Sequence, residues 1–381
     1  MPDFYEFFAG GGMARAGLGQ GWECLFANDI DEKKGASYTA NWGDKCLKIE
    51  DVGELTTVDV PDRADLAWAS FPCQDLSLAG DYAGLGGERS GTFWLFWRLM
   101  KALAEEHREP PVVVLENVCG ALTAHDGKDF AAIGAALADG DYGFGAIVMD
   151  AAHFVPQSRP RLFIVAVRNG RILPTGLTRT QPDPVWHPPN LVGAYDKLPS
   201  RLKEVWQWWN LPAPPSRKAT LADIIDDEPK DVAWHSPAET RRLLSMMSPL
   251  NRKKVAQARM MGKRMVGGVY RRTRVGEDGN RAQRAEIRFD DMAGCLRTPV
   301  GGSSRQTVMI VDGEEVRSRL LAPREAARLM GLPENYKLPE NYNEAYHLVG
   351  DGVVVPVIRF LAVHLLELLL SRDSQHAKEA A

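Results

Sequence analysis

The first 167 residues alternate short apolar runs with longer amphipathic segments, and this rhythm limits the fold more than any other feature. A strand that is apolar along its whole length needs cover on both faces, and helices between successive strands supply it. Strands are predicted at Phe4–Phe8, Glu23–Asn28, Leu66–Ser70, Val112–Glu116, Phe144–Met149 and Leu162–Val167. Helices are predicted at Met13–Gln20, Asp31–Asn41, Thr92–Glu106 and Asp129–Ala138. The last two strands stand too close for a crossover helix, so they are expected to pair antiparallel through the loop at His153–Arg161. The fold class is α/β.

Beyond Asn169 the texture changes. Residues 174–216 are rich in proline and tryptophan, and a basic block follows them. Between Arg241 and Arg288 there are 14 Lys/Arg against Glu277, Asp278 and Glu286, a local net of +11 in a chain whose formal charge is −4. An acidic body carrying one basic block is the asymmetry expected where a single face meets a polyanion. Trp206, Trp208 and Trp209 are read as a local hydrophobic core in preference to stacking platforms for bases. From Leu320 the α/β texture returns, with helices predicted at Pro323–Met330 and Val357–Leu370. The apolar stretch Val353–Leu370 is interrupted by Arg359, His364 and Glu367, so a buried helix is expected and not a membrane span. The predicted division is a large domain over 1–169, a smaller inserted domain over 170–300, and a part over 301–381 that returns to the first. The five cysteines show no C-x-x-C spacing, so neither a disulfide framework nor a zinc site is suggested and a reducing cytoplasm fits. The N-terminal residues lack a basic-then-apolar signal layout.

Four segments carry chemistry. Phe4–Gly12 is a strand running into Gly10-Gly11-Gly12, where glycine lets a ligand approach the backbone. A dinucleotide fingerprint would need glycine where Arg15 stands, and Glu6 beside the loop would repel a pyrophosphate but suit an ammonium group. Asp29, ending the next strand, is placed for ribose hydroxyls. Adenosine with an amino-acid tail is S-adenosylmethionine; a tight turn in any α/β protein is the other reading. Cys73, after Pro72 and just past a strand end, is either a small buried hydrophobe or a thiolate nucleophile. Glu116 ends another core strand, where desolvation could keep it protonated as a hydrogen-bond donor or where it could cap the next helix. Arg159 and Arg161, two apart in an extended segment, are expected to point the same way and present forked donors to a phosphate or carbonyl oxygen, or to form surface salt bridges.

In this order the motifs resemble those of the DNA (cytosine-5)-methyltransferase family over nearly the whole chain. Phe8-Ala9-Gly10-Gly11-Gly12 resembles its first cofactor motif, and Asp29 and Ile30 stand at its ribose-binding acid and adenine-facing apolar residue. Glu50-Asp51-Val52 resembles its G-D-I element, Pro72-Cys73-Gln74 its nucleophile motif, Glu116-Asn117-Val118 its E-N-V, and Pro156–Arg161 its P-Q-x-R-x-R. Pro323–Gly331 matches P-R-E-x-x-R-L-x-G. Departures are Gly350-Asp351-Gly352-Val353 for G-N-x-V, Glu6 for the usual aspartate, and Thr92 where leucine is common.

The resemblance implies a Rossmann-like S-adenosylmethionine-dependent sheet with an inserted target-recognition domain. Phe8, Ala9, Gly10, Gly12, Asp29, Ile30, Asp51, Val52, Pro72, Asp351 and Val353 would hold S-adenosylmethionine and its product S-adenosylhomocysteine. Cys73 would add to cytosine carbon 6, Glu116 would bind ring N3 and the exocyclic amine, and Arg161 would hold O2 with Arg159 in support. Gln74, Ser77, Arg271, Arg272 and Arg274 are candidate DNA contacts, and the glycines of Leu76–Arg89 suggest a loop that closes over an extruded base. Double-stranded DNA is the implied partner, with room for a cognate restriction endonuclease, no membrane, a monomeric state and a cytoplasmic setting in a cell or phage-infected host. A tRNA-methylating branch of the family and a catalytically silent DNA-binding homologue are the competing readings.

Overall fold

A computed structural model describes residues 1–72, 91–275, 281–297 and 305–371. The chain divides into two compact units. One comprises Met1–Met149, Pro160–Ala213 and the segment from Val357; the other comprises Asp150–Arg159 and Pro214–Pro356.

The first unit is built on a seven-stranded sheet: β1 (Asp3–Phe7), β2 (Glu23–Asp29), β3 (Leu47–Ile49), β4 (Leu66–Ala69), β5 (Val112–Val118), β6 (Tyr142–Asp150) and β7 (Pro160–Arg168), in the order β3-β2-β1-β4-β5-β7-β6. The β3-β2, β2-β1, β1-β4 and β4-β5 pairings are parallel, and β7 runs antiparallel to β5. The apolar runs behave as their composition demands: Val112, Val113 and Val114 of β5 are fully buried. Helices α1 (Met13–Leu18), α2 (Glu32–Trp42), α3 (Thr92–Glu105) and α4 (Lys128–Asp139) follow β1, β2, β4 and β5. α3 turns Phe93, Phe96, Trp97, Met100 and Leu103 inward at helical spacing, and the Phe96 ring meets Phe7 edge-on at 5.0 Å. The α2 N-terminus is capped by Asp31, which accepts from the Lys33 and Lys34 amides.

Two expectations shift. The proline- and tryptophan-rich segment, read as part of the inserted domain, packs with the first unit. Its backbone continues the sheet at β6: Phe144 N–H donates to Val205 O at 3.0 Å and Gln207 N–H to Phe144 O at 2.7 Å. A Cβ at Gly145 would lie 1.9 Å from Gln207 O, so glycine is what permits this approach. Trp206 packs edge-on against Phe144 and Phe130, and Trp206, Trp208 and Trp209 are all buried, in keeping with a local core. A two-residue ladder, β8 (Thr178–Arg179) with β9 (Trp208–Trp209), closes the segment. The second shift concerns residues 305–356, which belong to the second unit; only the helix beyond them joins the first.

That terminal helix buries Val357, Ile358, Leu361, Leu365, Leu366 and Leu369. Arg359 donates to the Leu18 carbonyl, and Trp22 Nε1 donates to Glu367 at 3.2 Å. Tyr342–Leu370 is apolar and long enough to cross a membrane by composition, but the helix breaks at Gly352–Val354 and its terminal part is a core element.

The second unit holds a four-stranded antiparallel sheet ordered β11-β10-β12-β13, from β10 (Met265–Val275), β11 (Arg281–Arg288), β12 (Thr307–Asp312) and β13 (Glu315–Leu320). Val269, Ala285, Ile287, Met309 and Val311 form a core with Leu243, Met247, Val255 and Ala258 of the helices Pro237–Ser245 and Pro249–Met260. Within the same unit Arg319 and Glu325 form a fully buried ion pair, where Glu325 also accepts from the Asp226 and Ala322 amides.

Candidate active site

Parallel strands deliver their carboxyl ends to one edge of a sheet, and loops at a reversal of strand order leave room there for a ligand. In the first unit that edge gathers Phe8–Gly12 after β1, Asp29 and Ile30 at β2, Asp51 after β3, Pro72 after β4 and Glu116–Val118 on β5. Because β7 is antiparallel to β5, its first residues lie at the same edge, with Arg161 opposite Val118.

The glycine loop is held from several sides. Ala9 N–H donates to Asn28 O at 2.9 Å, and Gly12 N–H returns to Ala9 O at 2.8 Å. Phe8, Gly10 and Gly12 all have positive φ, at 58°, 54° and 75°. A Cβ on Gly12 would stand 2.4 Å from Trp42 Nε1, which donates to Gly11 O at 3.0 Å. At Gly10 nothing among the described residues lies within 4 Å of where a Cβ would be, so the loop is open to them on that side. Asp29 sits beside it: one carboxylate oxygen accepts from Gly10 N–H at 2.7 Å and the other from Asp31 N–H at 2.9 Å. Ile30 is 65% exposed next to it, a large apolar side chain in solvent. Asp51 is exposed and accepts from Gly53 N–H at 2.7 Å, while the Val52 side chain packs inward in the core. An acceptor, an open glycine and an exposed aliphatic group thus lie side by side at this edge.

Beneath the loop, Glu6 is buried and accepts from Arg15 N–H at 3.2 Å; its other carboxylate oxygen has no hydrogen-bond partner among the described residues. Burial pushes its pKa up to about 8, against the lowering pull of the Arg15 amide and guanidinium. That guanidinium reaches Tyr38 OH at 2.9 Å and Cys46 Sγ at 3.3 Å and lies over the Trp42 ring. Glu6 is therefore a support under the loop, screened by Arg15.

Glu116 and Arg161 come together, with Arg161 Nε 3.3 Å from Glu116 Oε1 and both side chains partly exposed. Asn117, beside Glu116 on β5, donates to Phe71 O at 3.1 Å and accepts from Val118 N–H at 2.8 Å, tying the end of β5 to the segment that leads into Pro72. Pro72 is exposed. Cys73, Gln74, Ser77 and the glycine-bearing stretch to Arg89 lie outside the described residues.

Arg159 belongs to the second unit and is 2% exposed. Its guanidinium donates to Leu296 O at 2.9 Å and to the Gly350 and Gly352 carbonyls at 2.8 Å each, and approaches Cys295 Sγ at 3.4 Å. The expectation that the two arginines point the same way is corrected: Arg161 pairs with Glu116, and Arg159 clamps backbone. Gln157 does similar work: its amide donates to Leu329 O at 2.8 Å and accepts from Leu296 N–H at 3.1 Å. Asp351 is exposed and lies between the clamped glycines; Val353 follows them and is buried. The roles of Asn117 and Gln157 escape a reading of the sequence, although both lie inside motifs that it picks out.

The chain is similar to known proteins over nearly its whole length. Residues 3–367 match the model of the C-5 cytosine-specific DNA methylases, and the chain belongs to that family. Its activity is methyl transfer to carbon 5 of cytosine in DNA. Type II methyltransferase M.HhaI of Haemophilus parahaemolyticus is 24% identical over 364 residues, covering 95% of this chain and 93% of that protein. M.DsaV of Dactylococcopsis salina is 28% identical over 375 residues, covering 98% and 88%. Among solved structures, a DNMT2 variant of Spodoptera frugiperda shares the fold with a TM-score of 0.62 at 17% identity, over 97% of this chain and 100% of that one.

Proposed function

We propose that the protein methylates cytosine within a specific double-stranded DNA sequence through a covalent cysteine intermediate, with the target base swung out of the helix. Carbon 5 of cytosine is a poor nucleophile, and adding a thiolate to carbon 6 makes it electron-rich. Cys73 supplies that thiolate. Glu116 hydrogen-bonds ring N3 and the exocyclic amine of the target, and Arg161 holds O2, so that negative charge developing on the ring meets fixed partners. Once carbon 5 carries the methyl group, a base removes the carbon-5 proton, the electrons of that bond re-form the ring double bond, and Cys73 leaves as thiolate. The observation that supports this reading is the Glu116–Arg161 pair, 3.3 Å apart, at the strand edge that also carries Pro72.

S-Adenosylmethionine, when bound, supplies an electrophilic methyl group on a sulfonium. Asp29 would accept from its ribose hydroxyls, Ile30 and Asp51 would meet the adenine, and Phe8–Gly12 would admit its amino-acid end. Val52 would contribute through its backbone. Asp351 and Val353 are carried over from the family motif, and Arg159 acts as a positioning residue because its guanidinium is committed to the glycines on either side of Asp351. The type II relatives suggest a cognate restriction endonuclease as a genetic partner, and a monomeric enzyme in the cytoplasm completes the reading.

The test is an adduct. Duplex DNA carrying 5-fluorocytosine, incubated with S-adenosylmethionine, should trap the protein in a complex stable to denaturing electrophoresis, and Cys73→Ser should not be trapped. An adduct that survives that substitution would refute the nucleophile; methylation of tRNA but not of duplex DNA would refute the substrate.

A further inference from the structure

The basic block contributes a two-stranded ribbon, β10 with β11, in a sheet where β11 is the edge. Opposed residues of an antiparallel pair share a face, and neighbours along a strand alternate. Val269 opposes Ile287 and Arg271 opposes Ala285, so these share one face; Arg272 opposes Arg284 on the other. The first face is covered: Val269, Ala285 and Ile287 are buried in the unit's core. Arg271 on that side is half-buried, and its charge adds to the burial that lowers the pKa of His235, against the pull of Glu239.

The second face is built differently. Arg272 and Arg284 are both exposed and directly opposed. Like charges in that register repel and weaken a sheet. Glu286 stands 3.7 Å from Arg272, and the Tyr270 ring lies 5.9 Å from its guanidinium carbon. Among the described residues one carboxylate, Glu286, meets this arginine pair, which leaves the described face positive. Arginine on an edge strand can also serve only to block strand-to-strand aggregation. β10 pairs with β12 only from Met265 to Val269, so at Arg272 and Arg284 both strands of the ribbon are edges, and a blocking role predicts variants that aggregate with DNA affinity intact.

We infer that the face of the β10–β11 ribbon carrying Arg272 and Arg284 is the surface that meets duplex DNA, and that Arg271 is excluded from it. The inference rests on the DNA-methylating activity. A two-stranded ribbon is narrow enough for the major groove, and forked guanidinium donors suit both phosphate oxygens and the O6/N7 edge of guanine.

The experiment compares Arg272→Ala, Arg284→Ala and their double variant with Lys253→Ala, which removes one exposed charge from the helix Pro249–Met260 on the opposite side of the sheet. Binding of a mixed-sequence DNA duplex is titrated with KCl, and KM for the same duplex is measured with labelled S-adenosylmethionine. The double variant should bind at least roughly 10-fold more weakly, and its slope of log affinity against log salt should fall by about 2. KM for DNA should rise with kcat retained, while Lys253→Ala shifts neither by more than about 2-fold. Slopes and KM values for the double variant equal to those of Lys253→Ala would overturn the inference, as would aggregation of the variants with DNA affinity intact. If the wild-type protein methylates no duplex, the reading of the activity fails; if it methylates and the ribbon variants bind and turn over DNA as it does, the ribbon inference alone fails.

Discussion

Each compact unit sets a carboxylate against an arginine, and the two pairs are built in opposite ways. Glu325 and Arg319 are fully buried; the carboxylate takes both Nη groups at 2.6 and 2.7 Å and two backbone amides at 2.8 Å each. Glu116 and Arg161 meet through Nε at 3.3 Å, and both side chains keep some exposure at the open end of a sheet. A buried ion pair holds its place only when nearly every lone pair and proton is matched, because desolvation of each charge costs several kcal/mol. A pair at a sheet edge can meet loosely and turn donors and acceptors toward a third party. The difference separates architecture from chemistry without reference to sequence motifs, although Glu116, Arg161 and Glu325 all lie inside motifs.

Substitution should break the comparison cleanly. Glu116→Gln should lower kcat by roughly 10²–10⁴-fold, the usual range for a positioned acid–base group, with thermal unfolding little changed. Glu325→Gln leaves the Arg319 charge buried without its partner and should cost about 3–5 kcal/mol in urea unfolding. Single-turnover methylation and equilibrium unfolding on both variants would decide the matter. An unfolded Glu116→Gln variant, or a Glu325→Gln variant as stable as wild type, would show that the two pairs had been assigned the wrong way round.

How much of this is legible in the sequence follows the length scale of each interaction. β1, β2, β4, β5, β6 and β7 are legible because apolar runs between helical segments encode a doubly covered sheet locally. β3 is not, since Leu47–Ile49 is three residues long and is held by pairing with β2 and by Asn28 Nδ2 donating to the Lys48 and Glu50 carbonyls. Composition assigns the proline- and tryptophan-rich segment to the inserted domain, yet its contacts with β6 place it with the first unit. Chemistry-bearing residues stand out as charged groups at strand ends. Their supports do not: Asn117 reaches back 46 residues to Phe71, and Gln157 reaches forward 172 to Leu329. No local period encodes such a contact. Arg159 and Arg161 look equivalent in sequence, and only the fold gives them different partners.

The buried acid beneath the glycine loop sharpens the contrast further, because it is half-satisfied where Glu325 is fully satisfied. Burial raises the Glu6 carboxyl from 4.5 to about 8, so the folded state binds a proton that the unfolded chain has already released. Between those two values the folded form holds more protons, and stability must fall as pH rises. The loss is absent below pH about 4.5 and complete above about 8. Each tenfold difference in proton affinity between the two states is worth about 1.4 kcal/mol, which makes the whole loss on the order of a few kcal/mol. Glu6→Gln keeps the shape and removes the titration, so its stability should lie close to wild type in acid and exceed it at alkaline pH. Urea midpoints measured from pH 5 to 9 would test this. Parallel curves for the two proteins would mean that Glu6 is already ionised in the folded state, with Arg15 as a full counter-charge, and the support under the loop would then be an ion pair like that of Glu325.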